Sequence, residues 1–295
     1  MSTLYDMRAR LRALKPHAID ESLQRDLKAG WLLPYLIGVD EMGYGRWAHW
    51  CAVMEAGADG DAGPIPRIDF GDDMAGVALA RRHIEKCLDL VADGGWLGWS
   101  SWEHLDYFLR WLLYGFGHSS QSELPREPRK GASMRLYQTF NLAWPMLHPY
   151  DILGDLMAEC AIGRRAGFYP TPHSVAEMMT RMTFGDEDAQ KDARWKTVSD
   201  PAMGTGRMLL HASNHSYCLY GQDILDVCVK AALVNGYLFA PWMVKPFPFS
   251  GAPAPDAARA GIDAVATPAP VAQPVLQPVL QPALFTLEVL NDPPF

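Results

Sequence analysis

The sequence predicts an α/β fold in its second half, preceded by a mainly helical first half. Two observations carry that expectation. Residues 1–148 are rich in tryptophan and place apolar residues at helical spacing. Residues 149–295 change character and run strand, glycine turn, helix, strand, acidic residue, helix. That alternation is the logic of a parallel sheet, which binds ligands at the carboxyl ends of its strands.

In the first half, Met74 to Val91 carries Val77, Leu79, Ala80, Ile84, Cys87, Leu88 and Val91 on a helical period and stops at Gly94-Gly95. Trp102 to Tyr114 is a second helix. Trp47 to Glu55 reads as more strand-like, and Gly57 to Pro66 as a turn-rich break. Gly43-Tyr44-Gly45 and Gly115-Phe116-Gly117 lack a strand–turn–helix context and fit turn chemistry. No chemical motif stands out before residue 149.

In the second half, Asp151 to Cys160 is helical and Gly167-Phe168-Tyr169-Pro170-Thr171-Pro172 is a rigid extended stretch. Val175, Met178, Met179 and Met182 then form an apolar stripe, expected to be core. After a polar loop, a strand over Trp195 to Ser199 meets Asp200-Pro201-Ala202-Met203-Gly204-Thr205-Gly206, and a helix opens at Arg207. A strand over Tyr217 to Tyr220 ends in Gly221-Gln222-Asp223, and Ile224 to Leu238 is the next helix. Residues 243–283 are a Pro/Ala-rich linker or arm. It contains Gln-Pro-Val-Leu, Gln-Pro-Val-Leu and Gln-Pro-Ala-Leu in tandem, too proline-dense for helix or central strand. Phe285 to Leu290 is a last strand before Asn291-Asp292-Pro293-Pro294-Phe295.

Bulk properties narrow the function classes. The chain has 295 residues, 49% hydrophobic and 20% charged, as in ordinary globular proteins. No apolar run reaches the roughly 18–20 residues of a membrane span, and the start lacks a secretory core. Cys51, Cys87, Cys160, Cys218 and Cys228 are scattered and never form C-x-x-C. That usage predicts reduced thiols in a cytoplasm, without a zinc site or disulfide framework. The net charge of −8 does not announce an autonomous DNA binder. The one basic cluster, Arg126, Arg129, Lys130 and Arg135, fits a solvated loop.

Two groups of residues carry chemistry. Asp200, Gly204 and Gly206 between a strand and a helix make a cofactor loop. Glycines permit positive φ and close approach, and the helix start offers free N–H groups. A carboxylate at the strand end suits an ammonium or hydroxyl better than a phosphate, and no phosphate-loop lysine is present. Asp223 at the next strand end is placed to accept hydrogen bonds from ribose hydroxyls. A nucleoside cofactor with a cationic amine is the expectation. At Asp292-Pro293-Pro294-Phe295, a carboxylate and a proline carbonyl side by side can accept both hydrogens of an exocyclic amine. That favours the pyramidal nitrogen needed to attack a methyl group. Phe295 can stack on a base swung out of a helix. Read alone, the tetrapeptide also fits a frayed terminus.

These motifs resemble those of the N6-adenine DNA methyltransferases, in particular the modification subunits of type I restriction systems. Phe168 to His173 is similar to their aromatic-Tyr-Thr-Pro motif, with Pro170 inserted. Asp200 to Gly206 is similar to their Asp-Pro-Ala-Cys-Gly-Thr-Gly loop, with Met203 in place of Cys. Gly221-Gln222-Asp223-Ile224 resembles their Gly-Gln-Glu-Ile, and Ala231 to Leu238 the helix after it. Asp292-Pro293-Pro294-Phe295 matches their catalytic tetrapeptide, and the motif order is that of the gamma class. The resemblance covers residues 145–295.

The resemblance implies a Rossmann-like methyltransferase sheet, partial here, using S-adenosylmethionine, over residues 149–295. It implies that Tyr169, Thr171, Asp200, Ala202, Gly204, Thr205 and Gly206 hold the cofactor and Asp223 its ribose. Asp292, Pro293, Pro294 and Phe295 would be catalytic. It implies DNA as partner and a methyl group transferred to the N6 amine of adenine. The family's Gly-Asp motif after the third strand has only Asp263 as a weak counterpart. Only about four of the family's seven strands are expected here, so either the first half covers the exposed edge, a second polypeptide completes the sheet and supplies target recognition, or the chain is a shortened relic. Two other readings stay open: a non-catalytic cofactor- or DNA-associated protein that keeps the fold, and a methyltransferase acting on protein glutamine or RNA.

Overall fold

The computed structural model describes residues 28–57, 60–92, 101–159, 167–185 and 194–244. Helices α1 (Leu33–Gly43) and α2 (Arg46–Ala56) open the described chain. Asp40 fixes their junction by accepting the Trp47 N–H at 2.8 Å. The strand-like reading of Trp47 to Glu55 is therefore corrected: that stretch is helix. Its buried residues Arg46, Trp47, Trp50 and Val53 recur at helical spacing. Cys51 and Met54 face solvent, so apolar residues on both sides imitate a strand.

Helix α3 (Met74–Val91) has the boundaries expected from its period and is capped by Asp73, which accepts the Gly76 N–H at 2.9 Å. It buries Val77, Ala80, Ile84, Cys87, Leu88 and Val91. Around it lie α4 (Ser101–Phe116), α5 (Ala132–Thr139) and α6 (Ala143–Leu147). Trp111 is a centre of aromatic packing there, with ring centroids 5.6 Å from Trp31 and 5.1 Å from Tyr137.

The second half supplies α7 (Ile152–Glu159), α8 (His173–Phe184), β1 (Val198–Asp200), α9 (Arg207–Ala212), β2 (Leu219–Gly221) and α10 (Asp226–Phe239). The two strands pair in parallel, Val198 opposite Leu219 and Asp200 opposite Gly221. This is the predicted strand–turn–helix–strand unit. β1 begins at Val198 rather than Trp195, and β2 at Leu219 rather than Tyr217. Among the described residues the architecture is mostly helical with this one two-stranded sheet. None of the described helices is long and apolar enough to cross a membrane.

Helix α10 is buried from Val227 to Phe239 except at Lys230, and packs against α4 as well as α9. One buried cluster therefore runs from Leu32 to Met243, through both halves of the sequence. Arg46 ties them further. Fully buried, it donates to Pro66 O at 2.7 Å, Ser213 Oγ at 2.7 Å and Phe239 O at 2.8 Å, and also to Asn214. Burial pulls its guanidinium down to about 9, still cationic at neutral pH.

The apolar stripe on α8 is a second correction. Val175, Met178, Met179 and Met182, expected in the core, are 37%, 52%, 47% and 77% exposed. Ala176, Thr180 and Phe184 are the buried residues instead. Small Ala176 and Thr180 let α8 lie close against α9, which turns the larger side chains outward. The Pro-rich tract from 245 onward, Asp263, the strand expected over Phe285 to Leu290, and Asp292, Pro293, Pro294 and Phe295 lie outside the described residues.

Candidate functional site

The site predicted at the glycine turn is built on the parallel strand pair. Asp200 ends β1, and Asp223 follows two residues after β2. Parallel pairing puts both at the carboxyl ends of neighbouring strands, on either side of the turn. The turn is tied to both: Met203 N–H donates to Gln222 O at 3.0 Å, and Gln222 N–H to Asp200 O at 3.0 Å. Gly204 N–H donates to Asp223 Oδ2 at 2.9 Å, and Leu225 N–H to Asp223 Oδ1 at 2.8 Å. Each Asp223 oxygen thus keeps a lone pair for a further donor.

Asp200 Oδ1 accepts the exposed Ala202 N–H at 3.1 Å. Burial pushes its carboxyl above the usual range; the Ala202 N–H opposes that shift, and the negative charge of Asp223 adds to it. The two carboxylates repel one another across the mouth of the turn. A cation placed between them relieves that repulsion.

Gly204 and Gly206 adopt φ of 55° and 82°, the left-handed region that disfavours a Cβ. They are also sites of close approach. A Cβ on Gly204 would come within 3.1 Å of the Phe168 ring, and one on Gly206 within 3.2 Å of Ala232 and Met243. The extended stretch 168–171 therefore sits against the turn. Tyr169 is 79% exposed beside it, and Ile224, next to Asp223, is 78% exposed. Both side chains are open to solvent, Tyr169 on the stretch that packs on the turn and Ile224 next to Asp223 in the chain.

Beneath the turn lies a polar network that no motif announced. Asp151, with no exposed surface, accepts four hydrogen bonds. These come from Gly154 N–H at 2.9 Å, Thr205 Oγ1–H at 2.6 Å, Arg207 Nε–H at 3.0 Å and Asn235 Nδ2–H at 2.8 Å. Asn235 also donates to Thr205 O at 2.9 Å. Arg207 reaches Thr171 O at 3.0 Å and Asp155 Oδ1 at 2.6 Å. Burial disfavours its charge, yet Asp151 and Asp155 outweigh that and hold it firmly protonated. A Cβ on Gly154 would strike Asp151 Oδ2 at 2.1 Å, so only glycine admits this carboxylate. The network clamps the 168–171 stretch, the turn, α7, α9 and α10 into one frame.

His173 extends it. Its Nε2 accepts the Asp151 N–H at 3.3 Å, which leaves Nδ1 protonated to donate to His211 Nε2 at 2.9 Å. Burial, with the Arg207 charge and His211 assisting, lowers His173 to about 3; burial first, and Arg207 after it, take His211 to about 4. Both rings are neutral at physiological pH.

Of the predicted site residues, the structure brings together Tyr169, Thr171, Asp200, Ala202, Gly204, Thr205, Gly206 and Asp223. Thr205 is buried, and its hydroxyl faces the network rather than the mouth. Thr171 contributes its carbonyl to Arg207. A separate cleft of about 380 Å³ lies between residues 67–72 and α8, lined in part by Arg67, Asp69, Glu177 and His211, and holds none of the predicted residues. Sequence reasoning gave no role to Asp151, Arg207 or Asn235. The available signals were an asparagine inside an otherwise apolar helix and a helix-capping Asp-x-x-Gly.

No curated protein and no solved structure gives a significant match to this chain. A family model does. Residues 150–239, which contain the turn, both carboxylates and the network beneath them from Asp151 to Asn235, match the N-6 DNA methylase family.

Proposed function

We propose that this chain is an S-adenosylmethionine-dependent methyltransferase acting on the N6 amine of adenine in DNA, in the manner of type I modification subunits. The observation that carries the proposal is the pair of carboxylates at adjacent parallel strand ends, astride a glycine turn. The match of residues 150–239 to N-6 DNA methylases supports the same reading.

The residues present fit such a cofactor. Asp200 is a desolvated carboxylate beside another, suited to the cationic amine of a methionine moiety. The free lone pairs of Asp223 suit ribose hydroxyls. Ile224 and Tyr169 offer exposed apolar faces at the rim, suited to a purine. When bound, S-adenosylmethionine supplies an electrophilic methyl group on a sulfonium.

In this reading the strand over Phe285 to Leu290 joins the sheet and delivers Asp292 and Pro293 to the same edge. The Asp292 carboxylate and Pro293 carbonyl accept the two amine hydrogens. Held this way, the nitrogen lone pair would face the methyl group of a bound cofactor; N–C bond formation would be matched by cleavage of the sulfonium S–C bond to a neutral thioether, and the displaced amine proton would pass to the Asp292 carboxylate. Phe295 stacks on the extruded base, and Pro294 keeps the two acceptors convergent. With a net charge of −8, most phosphate contacts fall to a completing subunit.

The test is calorimetric titration with S-adenosylmethionine, followed by methyl transfer to adenine-containing DNA. Asp200→Ala should abolish binding; unchanged affinity would remove the cofactor site. Asp292→Ala should bind normally and transfer nothing; retained transfer removes its assigned role. Wild-type binding without transfer, with or without a partner subunit, favours the non-catalytic reading.

A further inference from the structure

Among the described residues nothing covers the apolar face of α8. Val175, Met178, Met179 and Met182 lie at i, i+3, i+4 and i+7 and are all exposed, beside a Glu177–Arg181 ion pair at 2.6 Å. The sequence holds a second apolar feature that methyl transfer does not use. Residues 264–287 contain no charged side chain, and 273–284 are three tandem Gln-Pro-Val/Ala-Leu units. We infer that this tract, residues 273–284, lies along the methionine stripe of α8 in the same chain. The inference does not depend on the methyltransferase reading.

Four considerations carry it. A proline at every fourth residue removes backbone donors and excludes helix and central strand, which leaves an extended polyproline-like form that docks through side chains. In that form, with three residues per turn and ~3.1 Å per residue, Leu276 and Val279 share one face about 9 Å apart. The stripe from Val175 to Met182 spans seven helical steps, about 10–11 Å, so the Leu276 and Val279 side chains on one face of the tract fit along its length. Methionine side chains are flexible enough to pack against the irregular surface of a proline-containing segment.

The exit point of the chain fits as well. The described core ends at Val244, next to Met243, whose methyl lies against Gly206 at the start of α9, and α8 packs on α9. Residues 245–272 reach at most ~100 Å when extended, far more than the crossing of one helix requires. Charge agrees too, since the stripe's neighbouring charges are already paired and the tract brings none. A second copy meeting stripe to stripe would cover α8 but leave the tract without an apolar partner, whereas intrachain docking covers both.

The test uses the full chain with the photo-cross-linker p-benzoylphenylalanine replacing Met182. Illumination should give cross-links at monomer mass that map to residues 273–284. Cross-links at dimer mass, to any other segment, or none at all would overturn the inference. Peroxide oxidation of Met178, Met179 and Met182 provides a second readout without the probe. Leu276→Asp/Leu280→Asp/Leu284→Asp should oxidise at these methionines at least about threefold faster than the unmodified chain, because sulfoxide formation follows exposure. Equal rates would also overturn it.

Discussion

Below the glycine turn Asp151 is fully buried, and its carboxylate is matched by four donors, one of them a guanidinium. Above the turn Asp200 and Asp223 stand near one another, and each receives only backbone N–H groups among the described residues. The same chemical group is used in opposite ways a few residues apart. The lower carboxylate is finished by the fold and holds the frame. The upper pair is left unfinished among the described residues; its mutual repulsion costs stability, and in the proposed reading a bound cation relieves it. In that reading stability and cofactor binding reside in different acids of one site.

The largest expected effect breaks the lower half of that contrast. Asp151→Ala removes the centre of the network and strands Arg207, which should cost about 3–5 kcal/mol of folding stability. Thermal unfolding followed by circular dichroism checks it. A loss under about 1 kcal/mol would mean the network is decoration rather than frame.

Acid should act on the same region. His173 and His211 lie well below the ordinary 6.5, at about 3 and about 4, and His49 at about 4, all chiefly through burial. The unfolded chain takes up protons near pH 6.5 that the folded protein refuses, so stability falls as pH drops from 6.5 towards 4. The melting temperature should decline over that window, and His211→Gln should make the decline shallower. An unchanged pH profile in the variant would show that His211 is not among the groups responsible.

The smallest effect sharpens the upper half. The Asp200 carboxyl is raised by burial and by Asp223, so its contribution to stability is lost as pH rises through the carboxylate range. Asp200→Asn should therefore melt about 1–3 °C higher than the unmodified chain at neutral pH, by removing one charge of the pair. The same variant should bind S-adenosylmethionine at least ~10-fold more weakly. A variant that melts lower would show that Asp200 supports the empty fold instead of straining it.

Much of this was legible in the sequence because local rules were obeyed. The Met74–Val91 helix announces itself by period and by the Asp73 cap. The turn at Gly204 and Gly206 is legible because both take positive φ, for which glycine is the ordinary choice. Helix α2 was hidden because one of its buried residues is Arg46, a charge that apolar periodicity cannot count. The outward face of α8 misled for the opposite reason: a period reveals that a helix has two faces, and which one is covered depends on what it meets. The Asp151 network was unreadable as such, since Asp151, Arg207 and Asn235 are brought together only by packing of three separate helices.

Arg46 has a consequence for the order of events during synthesis. Its partners Ser213 and Phe239 lie 167 and 193 residues later in the chain. At ribosomal speeds of 5–20 residues per second, α2 waits on the order of eight to forty seconds for them. Until then a guanidinium destined for the interior must stay hydrated, and Trp47 and Trp50 lack the cover they finally receive from Tyr237, Tyr217 and Trp242. The first half of this protein emerges first but is completed last, so a nascent chain halted before residue 213 should be bound by a chaperone that recognises exposed tryptophan-rich segments.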